Sequence, residues 1–149
     1  SGTEIIYQPH FRDGNLSGAA DFMRKVLRPS ALGDYSYEIL DAKLALTPKT
    51  RFVLQLAYYS YLLSQLQGPE PEYMHVIMGD QSEWTYAYKD YSKYLKNVLE
   101  QFFHAVETWP NLDSIQTYPE PCEYCEKCRW LKRCQNQRIN DDQFAKWTT

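Results

Sequence analysis

The sequence predicts an α/β or α+β domain: a central mixed β-sheet flanked by helices, followed by a cysteine-bearing C-terminal appendix. Three observations predict it. Short strand-like runs stand on both sides of a long apolar segment. A later segment repeats its apolar residues every three and four positions. All four cysteines fall between Cys122 and Cys134. The chain has 149 residues, 44% hydrophobic and 23% charged, enough to bury one domain core. A net charge of -3 excludes a general basic coat, so any phosphate contact must use a local patch. The apolar run around Phe52–Leu63 is broken by Gln55 and Ser60 and is too short for a bilayer, so no membrane partner is expected. No charged start leads into an apolar run, so no secretory signal is read and the expected location is cytoplasmic.

The elements follow in order. Glu4–Tyr7 has strand composition, Asp13-Gly14 suits a tight turn, and the return strand is expected over about Leu16–Met23. A third strand is expected over Tyr35–Leu44. Its period of two puts Leu40, Ala42 and Leu44 on an apolar face, with Asp41 and Lys43 projecting together on the other. Thr47-Pro48 suits an N-cap followed by proline, and the helix then runs to about Gln67 and stops at Gly68-Pro69. Two strands follow near Tyr73–Met78 and Glu83–Tyr88. After Asp90 the residues Tyr91, Tyr94, Leu95, Val98, Leu99, Phe102 and Val106 form an amphipathic stripe that should end by Pro110. The expected order is β-β-β-α-β-β-α, a core over 1–110, with a cysteine segment and tail over 111–149.

Asp21, Asp41 and Lys43 could converge if the second and third strands pair. Two carboxylates in one place repel unless a cation lies between them, and oxygen ligands suit Mg²⁺ or Mn²⁺. An ammonium beside them can orient an attacking water, which is the equipment for phosphodiester hydrolysis. Asp-x-Lys by itself is also common as a solvated surface pair.

The ordered set Gly18-Ala19-Ala20-Asp21-Phe22, Tyr37-Glu38-Ile39-Leu40-Asp41-Ala42-Lys43 and Gln55-Leu56-Ala57-Tyr58-Tyr59 resembles the PD-(D/E)XK nuclease superfamily. More narrowly it is similar to the RecB-like branch that carries a C-terminal iron–sulfur cysteine motif. The resemblance covers about residues 4 to 140. It implies a restriction-endonuclease-like core. It implies that Asp21 and Asp41, with the Ala42 carbonyl, hold the metal, and that Lys43 polarises water. Gln55 and Tyr59, one helical turn apart, would face the active site or DNA, their alternative being packing in a buried helix. Such nucleases usually place a helical segment with a histidine ligand ahead of the first strand. His10 does not match that position, and His75 reads as a strand residue with no special partner. The expectation is therefore one region of a larger polypeptide.

The cysteine spacing is Cys122-x₂-Cys125-x₂-Cys128-x₅-Cys134. Three closely packed cysteines favour a 4Fe-4S cluster over Zn²⁺, because zinc ribbons usually separate two pairs by a longer stretch. The resemblance favours the cluster as well, with Cys125, Cys128 and Cys134 matching its last three ligands and Cys122 supplying the fourth. A bound metal would fold this apolar-poor segment. Lys127, Arg129, Lys132 and Arg133, with Trp130, could track phosphates and stack a base; otherwise they form a solvated basic helix.

The expected function is a Mg²⁺- or Mn²⁺-dependent DNA nuclease acting on single-stranded DNA or ends. By the resemblance it would work within a larger repair, recombination or CRISPR-associated protein, alongside a helicase or recombination partner. Two alternatives stand beside it: a non-catalytic nucleic-acid or protein-binding module that keeps the fold, and a zinc-stabilised interaction domain.

Overall fold

The computed structural model describes residues 2–108 and 118–141. It is an α+β protein with a mixed five-stranded sheet. Its strands are β1 (Ile5–Tyr7), β4 (Phe22–Val26), β5 (Ser36–Ala42), β6 (Tyr73–Ile77) and β7 (Glu83–Ala87), in that spatial order. β2 (His10–Asp13) and β3 (Leu16–Ala19) form a separate two-stranded hairpin. The expected first hairpin therefore divides in two. The chain turns at Gln8-Pro9, where Gln8 takes a φ of 46°, and again at Ala20-Asp21. Gln8 N–H donates to the Asp21 carbonyl at 2.8 Å and Ala20 N–H to the Pro9 carbonyl at 3.2 Å, which ties the two turns together.

All pairings are antiparallel except β5 with β6. That parallel pair is joined through helix α1 (Thr50–Gln67), as a parallel connection requires. α1 contacts β5 and β6 of the large sheet and both strands of the hairpin. Covered from more than one side, it buries Phe52, Val53, Leu56, Ala57, Ser60, Leu62, Leu63 and Gln67, which explains its apolar composition on most faces. The expected Thr47 cap is not used. Lys49 occupies the N-cap position with extended backbone and no side-chain cap bond. At the other end Gly68, at φ 87°, donates its N–H to the Ser64 carbonyl and stops the helix. Gln67, fully buried, then acts as a surrogate strand. Its side chain accepts from Tyr37 N–H at 2.9 Å and donates to the Tyr37 carbonyl at 3.2 Å.

α2 (Lys89–Thr108) packs Leu95, Tyr91, Leu99 and Phe103 against the core and leaves Tyr94, Val98 and Phe102 exposed. The expected stop at Pro110 lies outside the described residues. The chain divides into two compact units near residue 104. The second contains a short 3₁₀ turn (Cys125–Lys127) and α3 (Leu131–Asn140). Among the described residues no helix is long and apolar enough to cross a membrane.

The faces of β5 depart from the alternation expected of them. Tyr37 and Ile39 belong to the main core, with Met23, Met74 and Val76 from neighbouring strands, and Asp41 continues their face. Asp41 is thus on the apolar face, not opposite it. The other face carries Glu38 and Leu40, and Leu44 lies beyond the strand end, 98% exposed. β5 is buried on both sides from Ser36 to Asp41, so an apolar residue at every second position could not reveal which face held the core.

Candidate functional site

The β4–β5 register pairs Phe22 with Leu40, so Asp21, one residue before β4, falls opposite Asp41 at the end of β5. The expected approach of the two aspartates is met. Their carboxyls lie within hydrogen-bonding reach of each other, and Ala42 N–H donates to Asp21 Oδ2 at 2.9 Å. Asp41 is 2% exposed. Its Oδ2 accepts no well-aligned hydrogen bond, although Lys43 Nζ forms an ion pair with it at 2.5 Å. We read this contact as Coulombic rather than as a satisfied hydrogen bond. Lys43 also lies 5.6 Å from the Phe52 ring centroid, so an apolar wall helps hold its ammonium.

Burial, and then the neighbouring Asp21 carboxyl, push Asp41 up to about 6, against the pull of Lys43. Asp21 moves the other way. Burial raises it, but hydrogen bonding with Asp41 and Ala42 and the charge of Lys43 outweigh burial and leave it below its ordinary value. Two carboxyls driven apart in this way hold one proton between them only below about pH 6, the behaviour of a close acidic pair that one ammonium does not fully offset. Above that pH both carboxyls are ionised, and a divalent cation would offset their repulsion. The donor set fits one: two converging carboxyls, one of them buried, and an ammonium at their side. The Ala42 N–H serves Asp21, and the Ala42 carbonyl, the backbone group expected to join the ligands, lies on the same residue.

α1 brings Gln55 and Tyr59 together. Gln55 Nε2 donates to Tyr59 Oη at 2.9 Å. A Cβ placed on Gly18 would sit 2.8 Å from the Tyr59 ring, so glycine is what lets the hairpin close on that ring. Tyr58 completes the contact, donating from its hydroxyl to the Ser17 carbonyl at 3.0 Å. These bonds position α1 against the hairpin that leads into Asp21.

The opposite face of the sheet holds a polar network that sequence reading missed. His75 Nε2 lies 3.0 Å from Glu38 Oε2, and Nδ1 lies 3.0 Å from both Glu83 Oε1 and Thr85 Oγ1. Glu38 also accepts from Tyr73 N–H at 2.9 Å, and Arg24 meets Glu83 through two bonds at 2.7 and 3.1 Å. His75 and Glu38 are each 6% exposed. The Arg24 bonds, more than any other contact, hold Glu83 below the usual carboxylate range. His75 thus has partners on β5 and β7, contrary to expectation. The signal for it was available: a glutamate and a histidine inside otherwise apolar strands must find partners or unfold them.

In the second unit all four cysteines are free thiols. Cys122 Sγ and Cys125 Sγ are 3.9 Å apart, and Cys122 N–H donates to Cys125 Sγ at 3.2 Å. That hydrogen bond leads the causes that lower the Cys125 thiol, joined by the charge of Arg138. Two thiolates on one tetrahedral ion with bonds of about 2.3 Å stand about 3.8 Å apart, so this pair is spaced as ligands are. Among the described residues no set of three or more His, Cys, Asp or Glu side chains closes round a single point. The donor chemistry suits a thiolate-bound metal, and Cys128 and Cys134 do not complete the set in this arrangement. Lys127, Arg129, Lys132 and Arg133 are exposed. The Arg129 and Arg133 guanidinium carbons lie 4.9 and 5.9 Å from the centroid of half-exposed Trp130. Arg138 instead donates to the Pro119 carbonyl at 2.8 Å.

No protein-family model and no curated protein matches this chain.

Proposed function

We propose that this protein hydrolyses phosphodiester bonds in DNA with the help of a divalent cation held by Asp21 and Asp41. The observation that carries the reading is the placement of two acidic side chains, at the facing ends of adjacent strands, in hydrogen-bonding reach, one of them buried and paired to Lys43. A bound Mg²⁺ or Mn²⁺ would supply a Lewis acid for the phosphate oxygens and lower the pKa of water. Asp21 and Asp41 fix where that charge sits. Asp41 would meet the ion as a carboxylate, and the Ala42 N–H keeps the Asp21 carboxyl oriented. Lys43, held between Asp41 and Phe52, offers a fixed ammonium to a phosphate oxygen or to the attacking water. Gln55 and Tyr59, joined by their own hydrogen bond, set the wall of α1 beside Gly18.

The resemblance to RecB-like nucleases points to single-stranded DNA or ends as substrate, and to service in a larger repair, recombination or CRISPR-associated assembly with a helicase or recombination partner. The cysteine segment we read as a metal-folded appendix, with 4Fe-4S favoured by spacing and Zn²⁺ as the alternative. Its exposed basic residues and Trp130 would contact the nucleic-acid strand. The test is cleavage of single-stranded DNA in Mg²⁺ or Mn²⁺. Asp41→Ala and Lys43→Ala should each lower the rate by about 10² or more, the scale of lost electrostatic stabilisation. Equal cutting by all three proteins would exclude this chemistry.

A further inference from the structure

We infer that the segment after Lys43 is a base-gripping edge of the site: Leu44 and Leu46 press on unpaired nucleobases of a single strand while Lys49 and Arg51 follow its phosphates. The inference rests on the nuclease reading and adds to it a means of choosing unpaired strands. Leu44 is 98% exposed and Leu46 68% exposed, while Ala45 between them packs against the core, so both leucines stand on the outer side. Their backbone is fastened. Lys43 N–H donates to the Ile77 carbonyl at 2.8 Å and Gly79 N–H to the Ala45 carbonyl at 3.0 Å. A Cβ on Gly79 would stand 2.5 Å from the Leu44 carbonyl oxygen, so the two chains lie in direct backbone contact. The leucines are presented to solvent by a fixed scaffold.

Position and charge name the occupant. The segment joins the strand end that carries Asp41 to the helix that carries Gln55 and Tyr59, so a strand seated at the carboxyl pair passes it. Lys49 and Arg51 are exposed, and no Asp or Glu occurs from Ala42 to Pro69, in a chain whose net charge is -3. Cations beside bare apolar side chains complement a chain that offers phosphates and base faces together. Unpaired strands do so, whereas a duplex keeps its base faces stacked within the helix.

The test measures binding of the full chain to fluorescein-labelled oligothymidylate by anisotropy, in Ca²⁺ in place of Mg²⁺. Leu44→Ser/Leu46→Ser should weaken binding about ten-fold, the scale of one lost base contact. Leu27→Ser, at a leucine 90% exposed beyond β4, should leave it unchanged. A matched duplex should bind the double variant as it binds wild type, and abasic sites in the oligonucleotide should erase the difference between the two proteins. Lys49→Ala/Arg51→Ala should reduce the salt dependence by about two phosphate contacts. Leu44→Ser alone repeats the test at the most exposed position. Unchanged affinity in the leucine variants, equal loss on duplex, or no binding by wild type would overturn the proposal. Base-dependent binding through the leucines without cleavage in Mn²⁺ would leave this grip standing and remove the nuclease reading.

Discussion

Asp41→Asn should stabilise the protein in chelator at neutral pH while abolishing its response to divalent metal. Asp41 titrates at about 6 against an ordinary 3.8, because it is buried and faces Asp21. A difference of about two units corresponds to at most about 3 kcal/mol of penalty once the group is ionised. The folded protein holds this proton more tightly than the unfolded chain does. The associated stability is therefore complete below pH 3.8 and is lost as pH rises through about 6. Asp21, shifted down, has the opposite sign: its contribution is present above its ordinary value and is lost as pH falls. The asparagine forfeits the Lys43 ion pair, but Lys43 still faces Asp21, so the net gain should be about 1–2 kcal/mol. That is a rise of a few degrees in Tm, at about 2–4 °C per kcal/mol for a chain of this size. Thermal unfolding in EDTA at about pH 7.5 and about pH 4 reads it, the gain being confined to the higher pH. Adding Mn²⁺ should then raise the Tm of wild type and leave the variant where it was. A variant no more stable than wild type at neutral pH, or equally stabilised at both pH values, would refute the reasoning.

Three other outcomes follow from the same geometry. His75→Leu should cost about 1–3 kcal/mol in urea unfolding, because buried Glu38 loses a hydrogen-bond partner, and His75→Leu/Glu38→Leu should recover most of that loss. Gly18→Ala should cost about 1–3 kcal/mol by driving a methyl group into the Tyr59 ring, and the cost should vanish in a Tyr59→Ala background. Cys125→Ala should lower the metal content of anaerobically purified protein, read by iron and zinc analysis with the visible absorption spectrum, since it removes the thiol with the lowered pKa. A colourless wild-type protein holding one zinc would overturn the iron–sulfur assignment.

The strand that carries Asp41 and the two long helices were legible because local pattern decides them: strand-forming residues in β5, an apolar run in α1, a three-and-four stripe in α2. The facing of Asp41 was not. In β5 every position from Ser36 to Asp41 is buried, so side-chain polarity no longer marks the outside. The division of the first hairpin was hidden for a related reason. It depends on backbone bonds between Gln8 and Asp21 and between Ala20 and Pro9, which leave no mark on composition. The His75 network likewise joins residues up to 59 positions apart, from Arg24 to Glu83, and only the strand order brings them together. Leu44 read as a core residue because its alternation continued past the end of the strand; the chain leaves the sheet at Ala42.

The central claim is that one divalent ion sits between the two aspartates. Anomalous diffraction from crystals soaked in Mn²⁺ tests it directly. The account predicts a single peak within about 2.0–2.2 Å of oxygens from both Asp21 and Asp41, lost in Asp41→Asn crystals. Crystals with no manganese at that place, or with Lys43 still paired to an Asp41 that ligates nothing, would contradict it.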